Sequence, residues 1–186
     1  HPDVNQIVFT GSVATGSAIA SAAATNIVPC TLELGGKSAA IVFDDADIDN
    51  LIDSIRWGIF YNAGQVCSAM SRVIVPQKLH DEISERAGEL AKSLSVGPGS
   101  ERTKFGLNMG SMISELQRDR AINLCQKAQT EGATTVTGGH KLNRPGWFLE
   151  PTVFSNVKPD MEIAQVEVFG PVLSIIPYET DEQAIS

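Results

Sequence analysis

Four short segments carry residues whose types and spacing suit chemistry. Cys67 stands in Asn62-Ala63-Gly64-Gln65-Val66-Cys67-Ser68, a polar, glycine-bearing stretch read as a loop that leads into a helix. A thiol at a helix N-terminus meets the positive end of the helix dipole, which favours the nucleophilic thiolate. A lone cysteine is more often a small core residue. Cys125, beside Leu124 on an apolar helical stripe, and Cys30, in an apolar strand, fit that description. Glu33 interrupts the run Thr31-Leu32-Glu33-Leu34. A carboxylate buried without a partner is costly and can act as a base near neutrality, whereas on a wet strand face, or paired with Lys37, it is a plain surface charge. Phe9-Thr10-Gly11-Ser12, followed by Gly16, ends a strand and opens a helix. Phosphates often sit at such a place, against helix N-terminal N–H groups, although the G-S-x-x-x-G spacing is not the dinucleotide fingerprint G-x-G-x-x-G. Glu167-Val168-Phe169-Gly170-Pro171 sets a carboxylate two residues before an aromatic on a stiff Gly-Pro turn. That arrangement suits a ribose hydroxyl and a flat ring, or simply a surface turn.

The elements that must position these residues alternate between the two periods. Residues 6–10 and 72–76, and the apolar run 39–43, read as strands. So do ATTVTGG, PTVFSNV and VLSIIPY further on. Helical spacing marks residues 14–24, the segment with Ile48, Leu51, Ile52 and Ile55, residues 79–94, and Ser114 to about Thr130. Strands alternating with helices predict an α/β fold with a largely parallel sheet. Paired glycines at 35–36 allow a sharp change of direction and suggest a domain boundary there.

Fourteen basic against 22 acidic residues give a net charge of −8, and no Lys/Arg cluster is present. This argues against nucleic acid or an anionic membrane as partner. Any phosphate must therefore be held by backbone N–H groups and a few placed side chains. The three cysteines are widely spaced with no CxxC pair, which speaks against a zinc site or a disulfide framework. Free thiols point to a reducing, cytoplasmic setting. No signal peptide or membrane-spanning apolar run is found. The chain enters a strand soon after His1 and stops at DEQAIS, where Asp181 would cap a helix with no room to form. Both ends read as cuts through a larger protein.

Taken together, the segments resemble the NAD(P)-dependent aldehyde dehydrogenase superfamily across essentially the whole chain. LELGGKS (32–38) resembles its glutamate motif, and GQVCSA (64–69) its cysteine motif. FTGS (9–12) and EVFGPV (167–172) are similar to two nicotinamide-cofactor motifs, and FDDADID and FLEPTVF match as well. The resemblance implies an aldehyde dehydrogenase-like α/β fold: residues 1–35 ending a Rossmann-like cofactor domain, and 36–186 forming most of the thiol-bearing catalytic domain. It implies Cys67 as nucleophile and Glu33 as the base that activates water. Gly11, Ser12, Leu34, Glu167 and Phe169 would hold NAD or NADP, and Tyr61 would line the substrate pocket. The implied partner is a small aldehyde, with a betaine-aldehyde-like lean in the motif wording, and the implied parent is a homodimer or homotetramer. Missing upstream are most of the cofactor sheet and the asparagine that completes the oxyanion hole, so the isolated piece is expected to be inactive. FGLNMGSM (105–112) departs from the commoner family pattern, and Val166 stands where an acid is common. A CoA-acylating relative is the alternative within enzymes, and Glu33 argues for water over CoA. A catalytically silent binding protein is the alternative outside them.

Overall fold

The computed structural model describes residues 1–101 and 109–186; residues 105–108 of the departing segment FGLNMGSM lie outside them. The chain divides into two compact units, His1–Gly36 and Lys37–Ser186.

The first unit is one strand–helix–strand turn. Strand β1 (Ile7–Gly11) and β2 (Cys30–Leu34) pair in parallel, with Thr10 beside Glu33 and Gly11 beside Leu34. Between them runs α1 (Val13–Ala24), whose N-cap Ser12 accepts a hydrogen bond from the Thr15 N–H at 3.2 Å. Gly16 leaves room for Leu34: a Cβ there would come within 2.6 Å of the Leu34 side chain. The helix therefore packs close to the end of β2.

The second unit is built on a five-stranded sheet in the order β3-β4-β7-β6-β5. Its strands are β3 (Ala39–Ile41), β4 (Arg72–Pro76), β5 (Thr134–Thr137), β6 (Thr152–Ser155) and β7 (Val172–Tyr178). All pairings are parallel except β5 with β6. Central β4 and β7 are covered on both faces, which is why they are nearly continuous apolar runs; Val73, Val75, Leu173 and Ile175 are fully buried. Edge strand β3 has a neighbour on one side only, and Ile41 and Phe43 stay partly exposed.

The helices follow their apolar spacing. Asp47 caps α2 (Ile48–Ile59), which buries Ile55 and Ile59. Helix α3 (His80–Ser93) packs on β5, β6 and β7 through Ile83, Ala87, Leu90 and Ala91. Ser114 caps α4 (Glu115–Glu131), which buries Ala121, Leu124, Cys125 and Ala128 and ends at left-handed Gly132. A short α5 (Glu162–Gln165) was not legible in the pattern.

The expectation that no helix forms at the C-terminal end is corrected. Helix α6 (Asp181–Ile185) does form, and its cap is Thr180, not Asp181. Thr180 and Gln183 make a capping box, which satisfies two otherwise orphaned N–H groups and lets one turn persist. His80, which no motif singled out, is buried at the start of α3. Its Nε2 accepts from the Asn156 N–H at 3.2 Å while Nδ1 lies 2.8 Å from Asp81, tying α3 to the end of β6.

Candidate active site

Helix α2 runs out into three successive left-handed residues, Asn62 (φ 51°), Ala63 (φ 55°) and Gly64 (φ 68°). For Asn and Ala this conformation costs on the order of 1 kcal/mol each and must be held by its surroundings. Asn62 Nδ2 donates to the Gln65 carbonyl at 3.0 Å, and Gln65 Nε2 donates back to the Asn62 carbonyl at 3.1 Å. Gln65 Oε1 also accepts the Ile113 N–H at 2.8 Å, fastening the turn to the approach of α4. Gly64 sits so close to Gly170 that a Cβ would run into the Gly170 carbonyl.

Cys67 follows on a tight turn closed by the Ala69 N–H donating to the Val66 carbonyl at 3.0 Å. It is exposed, as is Ser68. The expected helix after Cys67 does not exist: β4 begins at Arg72, too soon for a helix to intervene. Helix-dipole activation of this thiol is therefore not available here. Cys30 is half-buried and Cys125 is buried. Burial pushes the Cys125 thiol up to about 12, partly offset by the charge of Lys37.

The turn bearing Glu167 and Phe169 is clamped from α4. Gln117 Nε2 donates to the carbonyls of Val168 (2.9 Å) and Phe169 (3.0 Å), and Arg120 donates to the Glu167 carbonyl at 3.2 Å. Phe169 has φ 53°, so this fork holds a strained aromatic in place. Phe169 lines a cavity of about 540 Å³ together with Asn62, Gln65, Met112, Ile113 and Trp147. That volume is in the range of small-ligand sites. Sequence reasoning missed Asn62, Gln65, Gln117 and Arg120. The amides beside the two motifs were a visible signal, but their partners are distant in the chain.

Glu167 Oε1 and Lys37 Nζ are both buried without a hydrogen-bond partner. Burial first, then the nearby Arg72 charge, lowers the Lys37 pKa to about 8, with Glu167 and Cys125 pulling the other way. Tyr61 is 61% exposed and does not line the cavity. In the first unit, Glu33 lies on the exposed side of β2. Its reading as a charge interrupting a buried strand is corrected: the strand alternates, and Glu33 falls on the outward phase. Gly11 and Leu34 are register partners at the strand ends, next to the capped N-terminus of α1. Among the described residues, no cluster of His, Cys, Asp and Glu could hold a metal ion, and no helix is long and apolar enough to cross a membrane.

The α/β chain thus presents one exposed cysteine on a strained turn, interlocked with a clamped Glu-x-Phe turn. Residues 1–186 match the aldehyde dehydrogenase family, and the chain belongs to that family. It is 45% identical over its whole length to an aldehyde dehydrogenase of Davidiella tassiana, covering 37% of that protein. It is 40% identical to a betaine aldehyde dehydrogenase of Rhizobium johnstonii, covering 38% of it. Among solved structures, the NAD+ complex of aldehyde dehydrogenase from Bacillus cereus superposes with a TM-score of 0.95 at 39% identity, covering all of this chain and 37% of that one. The NAD+ complex of the Mycobacterium tuberculosis aldehyde dehydrogenase gives a TM-score of 0.94 at 42% identity. The chain thus spans a little over a third of the relatives it matches.

Proposed function

We propose that the parent protein oxidises a small aldehyde to the carboxylic acid with NAD(P)+, using Cys67 as nucleophile and Glu33 as the base that activates water. The observation that carries this reading is the presentation of Cys67. Of three free thiols it alone is exposed, on a turn interlocked through Gly64 and Gly170 with the turn bearing Glu167 and Phe169.

The residues present fit a dinucleotide. Glu167 offers a carboxylate oxygen with no protein partner, suited to ribose hydroxyls. Phe169 offers a half-buried ring on a cavity wall. Gly11 and Ser12 lead into the N-terminus of α1, where N–H groups favour phosphate, and the Leu34 backbone ends the neighbouring strand. When bound, the nicotinamide supplies the hydride acceptor.

In the proposed sequence, the Cys67 thiolate adds to the aldehyde carbon to form a thiohemiacetal, whose oxyanion the Cys67 N–H helps to hold. Loss of hydride leaves a thioester on Cys67. Glu33 takes a proton from water, the hydroxide adds to the thioester carbonyl, and the C–S bond breaks to release the acid and the thiolate. Tyr61 is proposed for the substrate pocket from the family resemblance alone. Residues 1–35 would complete a cofactor-binding domain and 36–186 would form most of a catalytic one. A reducing compartment is proposed from the three unpaired thiols, and a homodimeric or homotetrameric parent from the family resemblance.

The test is reduced-cofactor formation with an aldehyde panel, using the full-length parent, Cys67→Ala and Glu33→Gln. Cys67→Ala is expected to lose at least about a thousandfold in kcat, and Glu33→Gln to show a burst followed by slow turnover. Full activity in Cys67→Ala would sink the mechanism. The 186-residue chain alone is expected to show no turnover.

A further inference from the structure

We propose that Gln65 is a positioning residue for both turns of the site: its side chain ties the nucleophile turn to the first turn of α4, which also grips the cofactor turn. This rests on the readings that Cys67 is the nucleophile and that the Phe169 turn meets the cofactor.

Neither turn keeps its shape unaided. Asn62 and Ala63 on one side, and Phe169 on the other, hold left-handed backbone that residues with a side chain rarely adopt. Such a turn persists only where its neighbours over-determine it. On the nucleophile side the outside fastener is Gln65. Its Nε2 donates to the Asn62 carbonyl at 3.1 Å within the turn, and its Oε1 accepts the Ile113 N–H at 2.8 Å from a distant part of the chain. On the cofactor side the fastener is Gln117, whose Nε2 is shared between the Val168 and Phe169 carbonyls.

Both fastenings end on one short stretch. Ile113 directly precedes Ser114, the cap of α4, and Gln117 lies in the first turn of that helix. The Gln117 N–H donates to the Ser114 hydroxyl at 3.2 Å and the Arg118 N–H to the Ser114 carbonyl at 3.1 Å, which fixes Ile113 and Gln117 to one helical turn. The stretch is itself anchored. The N–H of Met112 donates to the Trp147 carbonyl at 2.9 Å, and its side chain is buried. It also packs under the cofactor turn: a Cβ on Gly170 would lie 3.4 Å from Met112 Cε and 3.3 Å from the Ala121 methyl.

Two routes therefore join the Cys67 turn to the Phe169 turn. One is the direct contact of Gly64 with Gly170. The other runs from Gln65 through Ile113, Ser114 and Gln117 to the Phe169 carbonyl. A single point of contact leaves two turns free to tilt about it, and a second, separate fastening removes that freedom. A misplacement of about 1 Å at a reacting group costs on the order of a hundredfold in rate. A neutral hydrogen bond of modest strength thus weighs more in the chemistry than in folding.

The experiment is a double-variant cycle in the full-length parent: Gln65→Met, Gln117→Met and the two combined. It is read by iodoacetamide alkylation of Cys67 and by calorimetric titration with NAD+. Gln65→Met is expected to shift the alkylation rate about fivefold and also to weaken NAD+ binding about fivefold, the size of one lost hydrogen bond. Gln117→Met, whose own contact is with the other turn, is expected to shift Cys67 alkylation about fivefold as well. In the double variant the Gln65 change should weaken NAD+ binding no further, because the route is already cut at Gln117. Gln129→Met removes a 2.9 Å bond to Thr135 at the far end of α4 and should alter neither readout. Effects confined to alkylation in Gln65→Met and to NAD+ in Gln117→Met would overturn the proposal. So would additive losses of affinity in the double variant, or equal shifts in Gln129→Met. If Gln65→Met does not fold, Gln117→Met carries the test, and unchanged Cys67 alkylation there refutes the coupling. Unaltered NAD+ binding in Phe169→Leu would instead sink the reading of that turn as the cofactor's, as full activity in Cys67→Ala would sink that of the nucleophile.

Discussion

Cys125 lies in the interior of the second unit within electrostatic reach of Lys37, and burial pushes its thiol up to about 12. Cys67 stands on an open turn. Only thiolate reacts with an alkylating agent, and the agent must also reach it. In the native chain at pH 8, iodoacetamide is therefore expected to modify Cys67 at least ~100-fold faster than Cys125. Peptide mass spectrometry over a time course reads the two rates directly, and similar rates would show that burial does not separate them. That Cys67 lies outside the core was legible from neighbours alone, since Asn62, Gly64 and Gln65 have no place in an apolar stripe. The reason first offered for its reactivity was not sound. A loop followed by a helix and a loop followed by a strand look alike over so few residues, and the start of β4 at Arg72 decides between them.

The turn from Asn62 to Gly64 is an element whose shape depends on another far away in the chain. Gly64 needs its positive φ, and any Cβ there would meet the Gly170 carbonyl. Gly64→Ala should therefore cost more than about 2 kcal/mol, the sum of a left-handed alanine and a displaced turn. Urea unfolding followed by circular dichroism measures it, and a loss below about 0.5 kcal/mol would mean that the two turns are not in real contact. The same variant should impair both thiol presentation and the Phe169 wall, because one backbone contact serves both. Within each element the sequence was readable. Spaced isoleucines marked α2, Ser114 marked the start of α4, and unbroken apolar runs marked β4 and β7. The capping box of α6 went unread because Thr180 and Gln183 look ordinary until the chain is seen to turn there.

At the scale of the whole chain, the two units differ in what they bury. The first has only two paired strands and one helix, and it leaves Val8 at 69%, Val13 at 56% and Ile27 at 90% exposed. A two-stranded sheet is marginal in water without further cover. The second buries most of β4 and β7. Hydrogen exchange of the 186-residue chain is thus expected to be at least ~100-fold faster for β1 and β2 amides than for those of β4 and β7. Equal protection would mean that the first unit is stable as it stands. Periodicity, caps and the order of the Glu, Cys and Glu-x-Phe segments were set by local chemistry, so the sequence by itself determined the α/β class, the family and the residues to suspect. Which of those residues meet is a matter of non-local packing. The contact of Gly64 with Gly170 and the grip of Gln117 on the Phe169 turn join segments far apart in the chain. Tertiary structure alone decided them, because no short-range pattern encodes which side chain or backbone will find which partner.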